Sequence, residues 1–459
     1  MKKVILSVFA SVLVGTAFAV LPGIKNGSVS LEMQGDSAVI TYTLTGTPAV
    51  VTIDLQTNTL ADATGEWVSI GGENIGFLRG EANKVVYAVD KPVKAQWLPK
   101  KACPGRTFAA GTIRAEVTAW PTNTPPDYMV VNLCEGQNVV RWYASTNALP
   151  GGFGNPEYKT TKMVMRKIPA KNVVWMMGSP GKLTDTDNKT VNEPAHKVMF
   201  SEDYYMGIYE VTQSQYTNMG GVNVSLYTNE VDAAYRPAER ISYKVLRGTG
   251  AGYYWPQNAH AVAPSSPLAK LRIRSGIADM DLPTEAQWEY ACRAGSSGLL
   301  PDSSLEFTAE NVYKYATTST SRETAVNTYD PAGNKINGRP TVVGSKLPNN
   351  WGIYDMLGNV WEYCLDQMGA TTQADRDYLG SFHESLTEGW ENGAVTVDPL
   401  GATNKSNRIC KRGGSHHDSY KEANCRSRGD GTYEYASGLT GKIGYIGFRL
   451  CCSVKEAVK

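Results

Sequence analysis

The chain has 459 residues, of which 42% are hydrophobic and 19% charged, so it is long and apolar enough for two or three domains. Its 45 Lys and Arg side chains nearly balance its 44 Asp and Glu, which leaves a formal net charge of +1. This balance disfavours a nucleic-acid partner, because phosphate binding depends on a surplus of clustered Lys and Arg.

Residues 1–19 have the parts of a secretory signal peptide. Lys2 and Lys3 supply the positive charge, residues 4–14 form an apolar run too short to span a bilayer, and residues 17–19 (AFA) are a small-x-small cleavage signature. The alternative is a buried or anchoring N-terminal helix. No later stretch is long and apolar enough for a membrane span. We therefore expect a secreted or periplasmic protein without a membrane span after cleavage.

Residues 20–143 predict a domain of short strands. Val29, Leu31 and Met33 alternate with polar residues, and turn signals such as residues 46–48 (GTP) separate the runs. This pattern is typical of a small all-β sandwich of the immunoglobulin or fibronectin type. No catalytic constellation is present, so a binding or spacer module is expected. The Gly- and Asn-rich residues 144–159 are typical of a linker.

The remaining residues, 160–455, predict an α+β domain with much irregular structure. Two helices are indicated by capping boxes, in which an N-cap Thr is followed three residues later by Gln. The first box begins at Thr212, and its helix should end by Gly220. The second begins at Thr284, and its helix should end before Gly295.

Several motifs of this C-terminal part occur in the order of a known family. The motifs lie at residues 176–180, 193–196, 204–213, 282–295, 350–364, 412–415, 425–428 and 446–449. They resemble the formylglycine-generating enzyme (sulfatase-modifying factor) family, most closely in LPTEAQWEYACRAG and GNVWEYC. The resemblance implies a fold related to C-type lectins, with a groove near the C-terminal motifs.

The resemblance also implies a chemistry for which this chain lacks the ligands. In the enzyme, a copper-binding cysteine pair oxidises a sulfatase cysteine to formylglycine. The two matching positions here are Asp418 and Ala423. Because copper(I) selects soft thiolate ligands, we expect neither copper binding nor the oxidase reaction. The alternative is that Cys410 and Cys425 act as the pair.

The groove candidates come partly from the resemblance and partly from the residues. The resemblance places Trp361, Ser415 and Arg428 along the groove. His416 and Asp418 have side chains that bind zinc or iron, and they could share one face of a strand. This leaves a metal-dependent oxygenase as one hypothesis and two polar groove residues as the other.

A calcium site is implied around the GNVWE loop. Its ligands would be Asp355, the backbone carbonyls of Gly358 and Val360, and Glu362. Hard oxygen donors in a tight Gly-containing loop suit calcium. The alternative is that the two carboxylates simply accept hydrogen bonds from the loop backbone.

Eight cysteines in an exported chain predict disulfides. Cys103 and Cys134 lie in residues 20–143 and the other six lie in the C-terminal part, so both counts suit pairing within a domain. No CxxC spacing occurs, which disfavours a zinc ribbon or a thioredoxin-like centre.

The family resemblance implies one specific bridge. Cys292 would pair with Cys451 or Cys452, and Cys364 with Cys425 is a second plausible bridge. The alternative is buried free thiols, which behave as small apolar groups.

These observations favour an exported, non-catalytic or re-purposed member that binds a peptide, glycan or cell-envelope component. The alternative is an enzyme, either a formylglycine-generating oxidase or a metal-dependent oxygenase of the same superfamily. A purely structural surface protein is a third hypothesis.

Overall fold

The computed structural model describes residues 20–60, 64–109, 111–134, 139–178, 183–184, 190–191, 195–248, 251–253, 255–256, 258–321, 327–329, 335–367, 392–401, 408–432 and 444–459. The predicted signal peptide lies outside the described residues, as do residues 179–180 and 193–194 of the family motifs. Across the described ranges, none of the helices has the length and apolar character that crossing a membrane requires.

The described residues combine many short strands with a few short helices. The strands are β1 Gly23–Ile24, β2 Ser30–Gln34, β3 Ser37–Thr45, β4 Ala49–Asn58, β5 Trp67–Ser69, β6 Arg79–Gly80, β7 Lys84–Val86, β8 Pro92–Trp97, β9 Ile113–Pro121, β10 Tyr128–Asn132, β11 Val140–Tyr143, β12 Lys162–Ile168, β13 Trp175–Met177, β14 Leu183–Thr184, β15 Thr190–Val191, β16 His196–Met199, β17 Tyr204–Gly207, β18 Ala316–Thr317, β19 Asn327–Tyr329, β20 Lys335–Asn337, β21 Leu357–Gly358, β22 Trp361–Gln367, β23 Val395–Val397, β24 Arg408–Arg412, β25 Arg428–Thr432, β26 Ile446–Gly447 and β27 Cys451–Ser453. The helices are α1 Pro99–Ala102, α2 Gln213–Asn218, α3 Tyr243–Arg247, α4 Pro267–Ser275, α5 Glu285–Arg293, α6 Ala309–Tyr315 and α7 Val454–Ala457. This content gives the α+β class that the sequence predicts.

The N-terminal strands form two sheets that share one hydrophobic core. One sheet has the order β1–β3–β8–β6 with β2 beside β3, and the other has the order β5–β4–β7 with β9 beside β4. In β9, Ile113, Ala115 and Val117 are buried, whereas Arg114 and Glu116 between them are exposed. Strands of both sheets contribute buried residues to the same apolar cluster, because alternation directs one face of each strand inward.

The last two strands predicted for the N-terminal domain belong to the C-terminal part instead. They join the sheet β11–β10–β12–β17–β27, in which Met129 lies opposite Met165 and Val131 opposite Met163. The N-terminal sheets therefore end with β9, and β10 and β11, which lie before the predicted boundary at residue 143, pair with strands that follow it. Alternation along a sequence identifies a strand but not its partner, which here is chosen by packing in the C-terminal core.

The predicted linker, residues 144–159, packs against the protein. Gly72 N donates to Asn147 O at 2.5 Å. Tyr158 is buried in an apolar cluster with Val164 and Ile208 of the C-terminal part. The segment therefore holds the two parts together rather than separating them.

Both predicted capping boxes are confirmed. Gln215 N donates to Thr212 Oγ1 at 3.1 Å, and Gln287 N donates to Thr284 Oγ1 at 3.2 Å. In each box the Gln side chain accepts the N-cap backbone N–H in return. Helix α5 ends at Arg293, and its C-cap residue Ala294 has a φ of 46°, which lies in the left-handed region.

A four-stranded sheet of order β25–β24–β22–β26 lies at the centre of the C-terminal part. All seven residues of β22 are buried. Helix α5 packs on β22 and β24 and buries Trp288 and Cys292 between them. The motif residues on β22 and β24 therefore belong to a buried sheet that helix α5 covers.

The strand pairing predicts where the chain can be shortened. A protein of residues 122–459 keeps β10 and β11 and is expected to fold, whereas a protein of residues 144–459 lacks both strands and exposes the β12 edge. Circular dichroism and urea unfolding of both proteins check this. A cooperative transition of residues 144–459 at the same urea midpoint as that of residues 122–459 would contradict the observed boundary.

Candidate functional site

The Gly-Gly-Ser turn after β24 requires both of its glycines. Gly413 and Gly414 have φ values of 99° and 76°. A Cβ on Gly413 would lie 2.9 Å from Met356 O, and one on Gly414 would lie 2.7 Å from Glu422 O. No other residue fits this backbone without a shift of the neighbouring chain. The turn delivers Ser415, which is fully buried, against β22.

Asp418 accepts hydrogen bonds from two of the groove residues that the resemblance names. Trp361 Nε1 donates to Asp418 Oδ2 at 2.7 Å, and Ser415 Oγ donates to the same oxygen. Burial raises the pKa of the Asp418 carboxyl. Asp418, which the resemblance matches to the first catalytic cysteine, therefore joins Trp361 to Ser415 by hydrogen bonds.

Ala423 fills the second cysteine position with a buried methyl group. Its side chain is fully buried in an apolar cluster that also contains Cys425. A carboxylate engaged by two donors and a methyl group supply no soft ligand, so these two positions do not fit copper(I).

The alternative copper pair, Cys410 with Cys425, is not brought together. The Cys425 thiol contacts the thiol of Cys292, and the Cys410 thiol contacts that of Cys364. All four residues are fully buried. Burial raises the pKa values of the Cys364 and Cys410 thiols and that of Cys292, which opposes the thiolate form that binds metals.

The thiol contacts differ from the bridges that the resemblance implies. All eight cysteines lie in the described residues, and none is joined to another in the structure. Cys451 Sγ lies 3.7 Å from Gln287 Oε1 instead of against Cys292, and Cys452 is buried in a different core cluster. Cys103 Sγ donates to Asn74 O at 3.3 Å, while Cys134 is exposed.

His416 is a buried neutral imidazole. Its Nδ1 lies 2.8 Å from Asn359 O. Because a carbonyl oxygen only accepts, Nδ1 carries the proton, and Nε2 is left without a hydrogen-bond partner among the described residues. Burial lowers the pKa of His416 to about 3. His416 and Asp418 bind different partners, and within the described ranges no three His, Cys, Asp or Glu side chains are placed to hold a metal ion.

Aromatic rings and one lysine surround Asp418, where the resemblance implies a groove. The His417 ring stacks parallel to the Tyr445 ring, with centroids 4.7 Å apart. Lys411 Nζ lies 4.7 Å from the centroid of Trp361 and 5.7 Å from that of Tyr445. Sequence reasoning missed Lys411 and Tyr445, although each directly adjoins a family motif. We call Trp361, Lys411, His417, Asp418 and Tyr445 the groove.

The Arg428 side chain forms a buried ion pair with Glu285. Its Nε and Nη2 lie 2.6 and 3.0 Å from the two carboxylate oxygens of Glu285. Glu285 also lies 2.7 Å from Arg412 Nε. Burial would raise the pKa of Glu285, but the two guanidinium groups outweigh burial and lower it. Arg428 therefore links β25 to α5, and its groove role stays a prediction.

The predicted calcium loop is tight and buried. A Cβ on Gly358 would lie 2.3 Å from Thr317 O, so the loop backbone touches its neighbour directly. Asp355 Oδ2 accepts a hydrogen bond from Gly344 N at 2.5 Å. The Glu362 oxygens accept two bonds of 2.6 Å from Arg449. Trp288 Nε1 adds a third donor to Glu362 at 2.7 Å.

A third carboxylate, which sequence reasoning missed, adjoins this loop. Glu210 Oε1 accepts a hydrogen bond from Val360 N at 3.1 Å. Burial first, and then Asp355 and Glu362, raise the pKa of Glu210 well above its usual range. Burial also raises the pKa of Asp355 to about 6. The three neighbouring carboxylates of Glu210, Asp355 and Glu362 would favour a bound cation. The Glu362 oxygens already accept hydrogen bonds from Arg449 and Trp288, so calcium binding stays a prediction.

A calcium titration tests the loop. If calcium binds, millimolar CaCl2 is expected to raise the Tm of the wild type and not that of Asp355→Asn, because binding to the folded state alone stabilises it. Asp302→Asn, which changes a half-buried carboxylate outside this loop, serves as the control and should respond like the wild type. An unchanged Tm of the wild type, together with no protein-bound calcium by elemental analysis, would contradict the prediction.

Known proteins resemble the chain over the part that carries these motifs. The sulfatase-modifying factor enzyme 1-like domain matches residues 159–454. Formylglycine-generating enzyme of Bos taurus is 25% identical over 301 residues, which cover 60% of this chain and 70% of that enzyme. Chaperone protein LppX of Paenibacillus barcinonensis is 28% identical over 178 residues, covering 36% of this chain and 62% of that protein.

A solved structure, Treponema denticola variable protein 1, aligns with a TM-score of 0.40 and 21% identity, covering 64% of this chain and 96% of that protein. The matched residues 159–454 make up more than half of the chain and contain every motif from residue 176 to residue 449. The resemblance found in the sequence is thereby confirmed, and the chain belongs to the family of sulfatase-modifying factor enzyme 1-like domains.

Proposed function

We propose that this protein is an exported, non-catalytic or re-purposed member of its family that binds a peptide, glycan or cell-envelope component in the groove. The observation that carries the proposal is the position of Asp418, whose carboxylate accepts hydrogen bonds from Trp361 and Ser415. In this position the Asp418 carboxylate fixes the side chains of a binding surface, whereas copper chemistry would need a thiolate there.

The groove offers the contacts that a binding surface uses. The stacked His417 and Tyr445 rings present half-buried apolar faces. Lys411 adds a positive charge and Asp418 a hydrogen-bond acceptor at the same place. A few polar groups set among aromatic rings are the usual composition of a pocket that orients a ligand.

The proposal extends to the folds of the N-terminal and C-terminal parts. The N-terminal part is an immunoglobulin- or fibronectin-like β-sandwich that acts as a spacer or second binding module, which its two sheets around one core support. The C-terminal part has a fold related to C-type lectins, which the family membership supports. Export is supported by the signal-peptide pattern of residues 1–19.

Copper binding and catalysis test the non-catalytic assignment. The copper-treated wild type is expected not to convert a Cys-x-Pro-x-Arg peptide to formylglycine and not to compete with a chromophoric Cu(I) chelator. The double variant Asp418→Cys/Ala423→Cys restores two soft donors and is expected to compete, because paired thiolates bind Cu(I).

The variant Asp418→Ser/Ala423→Ser controls for loss of the Asp418 contacts without adding sulfur. Stoichiometric Cu(I) binding by the wild type, with formylglycine found by mass spectrometry of the peptide, would show that the protein is an oxidase.

Envelope binding tests the role of the groove. The wild type is expected to co-sediment with isolated cell envelopes of the source organism, and Tyr445→Ala is expected to weaken this binding at least ~10-fold, as the loss of a central aromatic contact does. Tyr313→Ala, which removes a half-buried tyrosine of α6 outside the groove, is the matched control. Equal sedimentation of Tyr445→Ala and the wild type would remove the groove from the proposal.

A further inference from the structure

A cavity of about 550 Å³ lies in the C-terminal part, between the turn that follows α2 and the first residues of α3 and α4. It shares no residue with the groove or with the loop for which calcium is predicted. Pockets that bind small molecules measure about 300–1,000 Å³. The cavity is therefore large enough for a ligand of its own.

The charged side chains that line this cavity are all positive. Arg240 precedes α3, Lys244 lies in α3 and Lys270 lies in α4. None of the described lining residues is an Asp or a Glu, and none of the three cations forms an ion pair with a carboxylate of the described residues. A lining with charges of one sign attracts ligands of the opposite sign, so an anion is favoured here.

The carboxyl group that adjoins Arg240 in the sequence does not cancel this charge. Glu239 is fully buried, and its Oε1 accepts a hydrogen bond from Leu226 N. Burial raises the pKa of Glu239 to about 8, against the opposing effects of the Leu226 N–H and the Arg240 guanidinium. This carboxyl is therefore mostly protonated at pH 7. Arg240 Nε is buried without a hydrogen-bond partner among the described residues, so it keeps a donor for a ligand.

Two buried serine hydroxyls add neutral donors to the lining. Ser242 and Ser266 are the N-cap residues of α3 and α4, and both line the cavity. Their Oγ atoms accept hydrogen bonds from Val245 N at 3.3 Å and from Ala269 N at 3.1 Å. A hydroxyl that accepts through its oxygen still has a proton to donate, and neither proton goes to an acceptor in the described part of the chain. Both are therefore available to a ligand.

The Lys270 side chain is positioned by one hydrogen bond. Its Nζ donates to Gly220 O at 2.9 Å, which leaves two of the three ammonium protons for other acceptors. Helix α4 has nine residues, and its N-terminal end adds a partial positive charge beside Ser266. The cationic side chains and this helix end therefore act in the same direction.

The mouth of the cavity is apolar. Val222 and Val245 line it, and they are 77% and 44% exposed. Exposed valines beside a cationic lining suit a ligand that has a charged group and an apolar body.

We propose that this cavity binds a phosphate monoester, whose phosphate group contacts Arg240, Lys244 and Lys270 and whose organic part lies against Val222 and Val245. A phosphate monoester carries a charge of about −1.5 to −2 at pH 7 and has three acceptor oxygens, whereas a carboxylate carries a single charge. Three cations and two hydroxyl donors match the higher charge and the larger number of acceptors. The site does not involve the groove, so its test is independent of the proposed function.

Calorimetric titration of the full chain tests the chemistry of the site. Phenyl phosphate, phenyl sulfate and benzoate have the same aromatic body and differ in the charged group. Phenyl phosphate is expected to bind at least ~10-fold more tightly than the other two, because it carries more negative charge. Its affinity is expected to fall with added NaCl, which screens exposed charges. Equal affinity for the three compounds, or no binding of millimolar phenyl phosphate by calorimetry and equilibrium dialysis, would overturn the proposal.

Removal of charge locates the site. The double variant Lys244→Gln/Lys270→Gln is expected to bind phenyl phosphate at least ~10-fold more weakly than the wild type. Lys171→Gln/Lys314→Gln removes the same charge from two exposed lysines that do not line the cavity, and it is expected to bind like the wild type.

Addition of charge tests the same place without removing any contact of the lysines. Val245→Glu sets a negative charge at the mouth and is expected to weaken phenyl phosphate binding at least ~10-fold. Ile273→Glu adds the same charge at an exposed position of α4 that does not line the cavity, and it is the matched control. Both positions are exposed, so both variants are expected to fold. Wild-type affinity of Val245→Glu and of the double lysine variant would show that phosphate binds elsewhere.

Lipid vesicles show where the phosphate ester comes from. The wild type and Val245→Glu are sedimented with phosphatidylcholine vesicles with and without phosphatidic acid, whose headgroup is a phosphate monoester. Sedimentation that requires phosphatidic acid and is lost in Val245→Glu would support a lipid ligand. No sedimentation of a wild type that binds phenyl phosphate would support a soluble ester.

Discussion

The buried ion pair between Glu362 and Arg449 is the interaction on which the C-terminal part depends. Both side chains are almost completely excluded from solvent, and Arg449 donates to both carboxylate oxygens at 2.6 Å. Arg449 also donates to Gly207 O and Tyr354 O, while Trp288 donates to Glu362. Removing one member of such a pair costs about 3–5 kcal/mol, because the other charge is left buried and unpaired. Five distant segments are thereby fixed to one point.

Several residues of the family motifs therefore hold the fold together through buried ion pairs. A second buried network repeats the design, with Glu285 between Arg412 and Arg428. Both networks are formed in this chain, whatever the role of Asp418 and Ala423, which the resemblance matches to the two catalytic cysteines. Neither network includes Asp418 or Ala423, so the interactions that hold the fold are separate from those two positions, and a shared fold does not by itself fix an activity.

The proposed groove and the buried core share the strands β22 and β24. β22 presents Trp361 to the groove and Cys364 to the core, and β24 does the same with Lys411 and Cys410. Successive residues of a strand point to opposite faces, so one pair of strands serves both purposes. The side chains that would contact a ligand are supported by a layer in which every residue of β22 is buried.

The sequence by itself determined the local features and the family. The capping boxes at Thr212 and Thr284 were predictable because each involves residues only three positions apart, and the motif order identified the family. Only the tertiary structure decided which segments meet. It assigned β10 to the C-terminal sheet and brought Glu210 to the loop for which calcium is predicted. These contacts join residues far apart along the chain, and their choice depends on packing in a shared core, which no short stretch of sequence specifies.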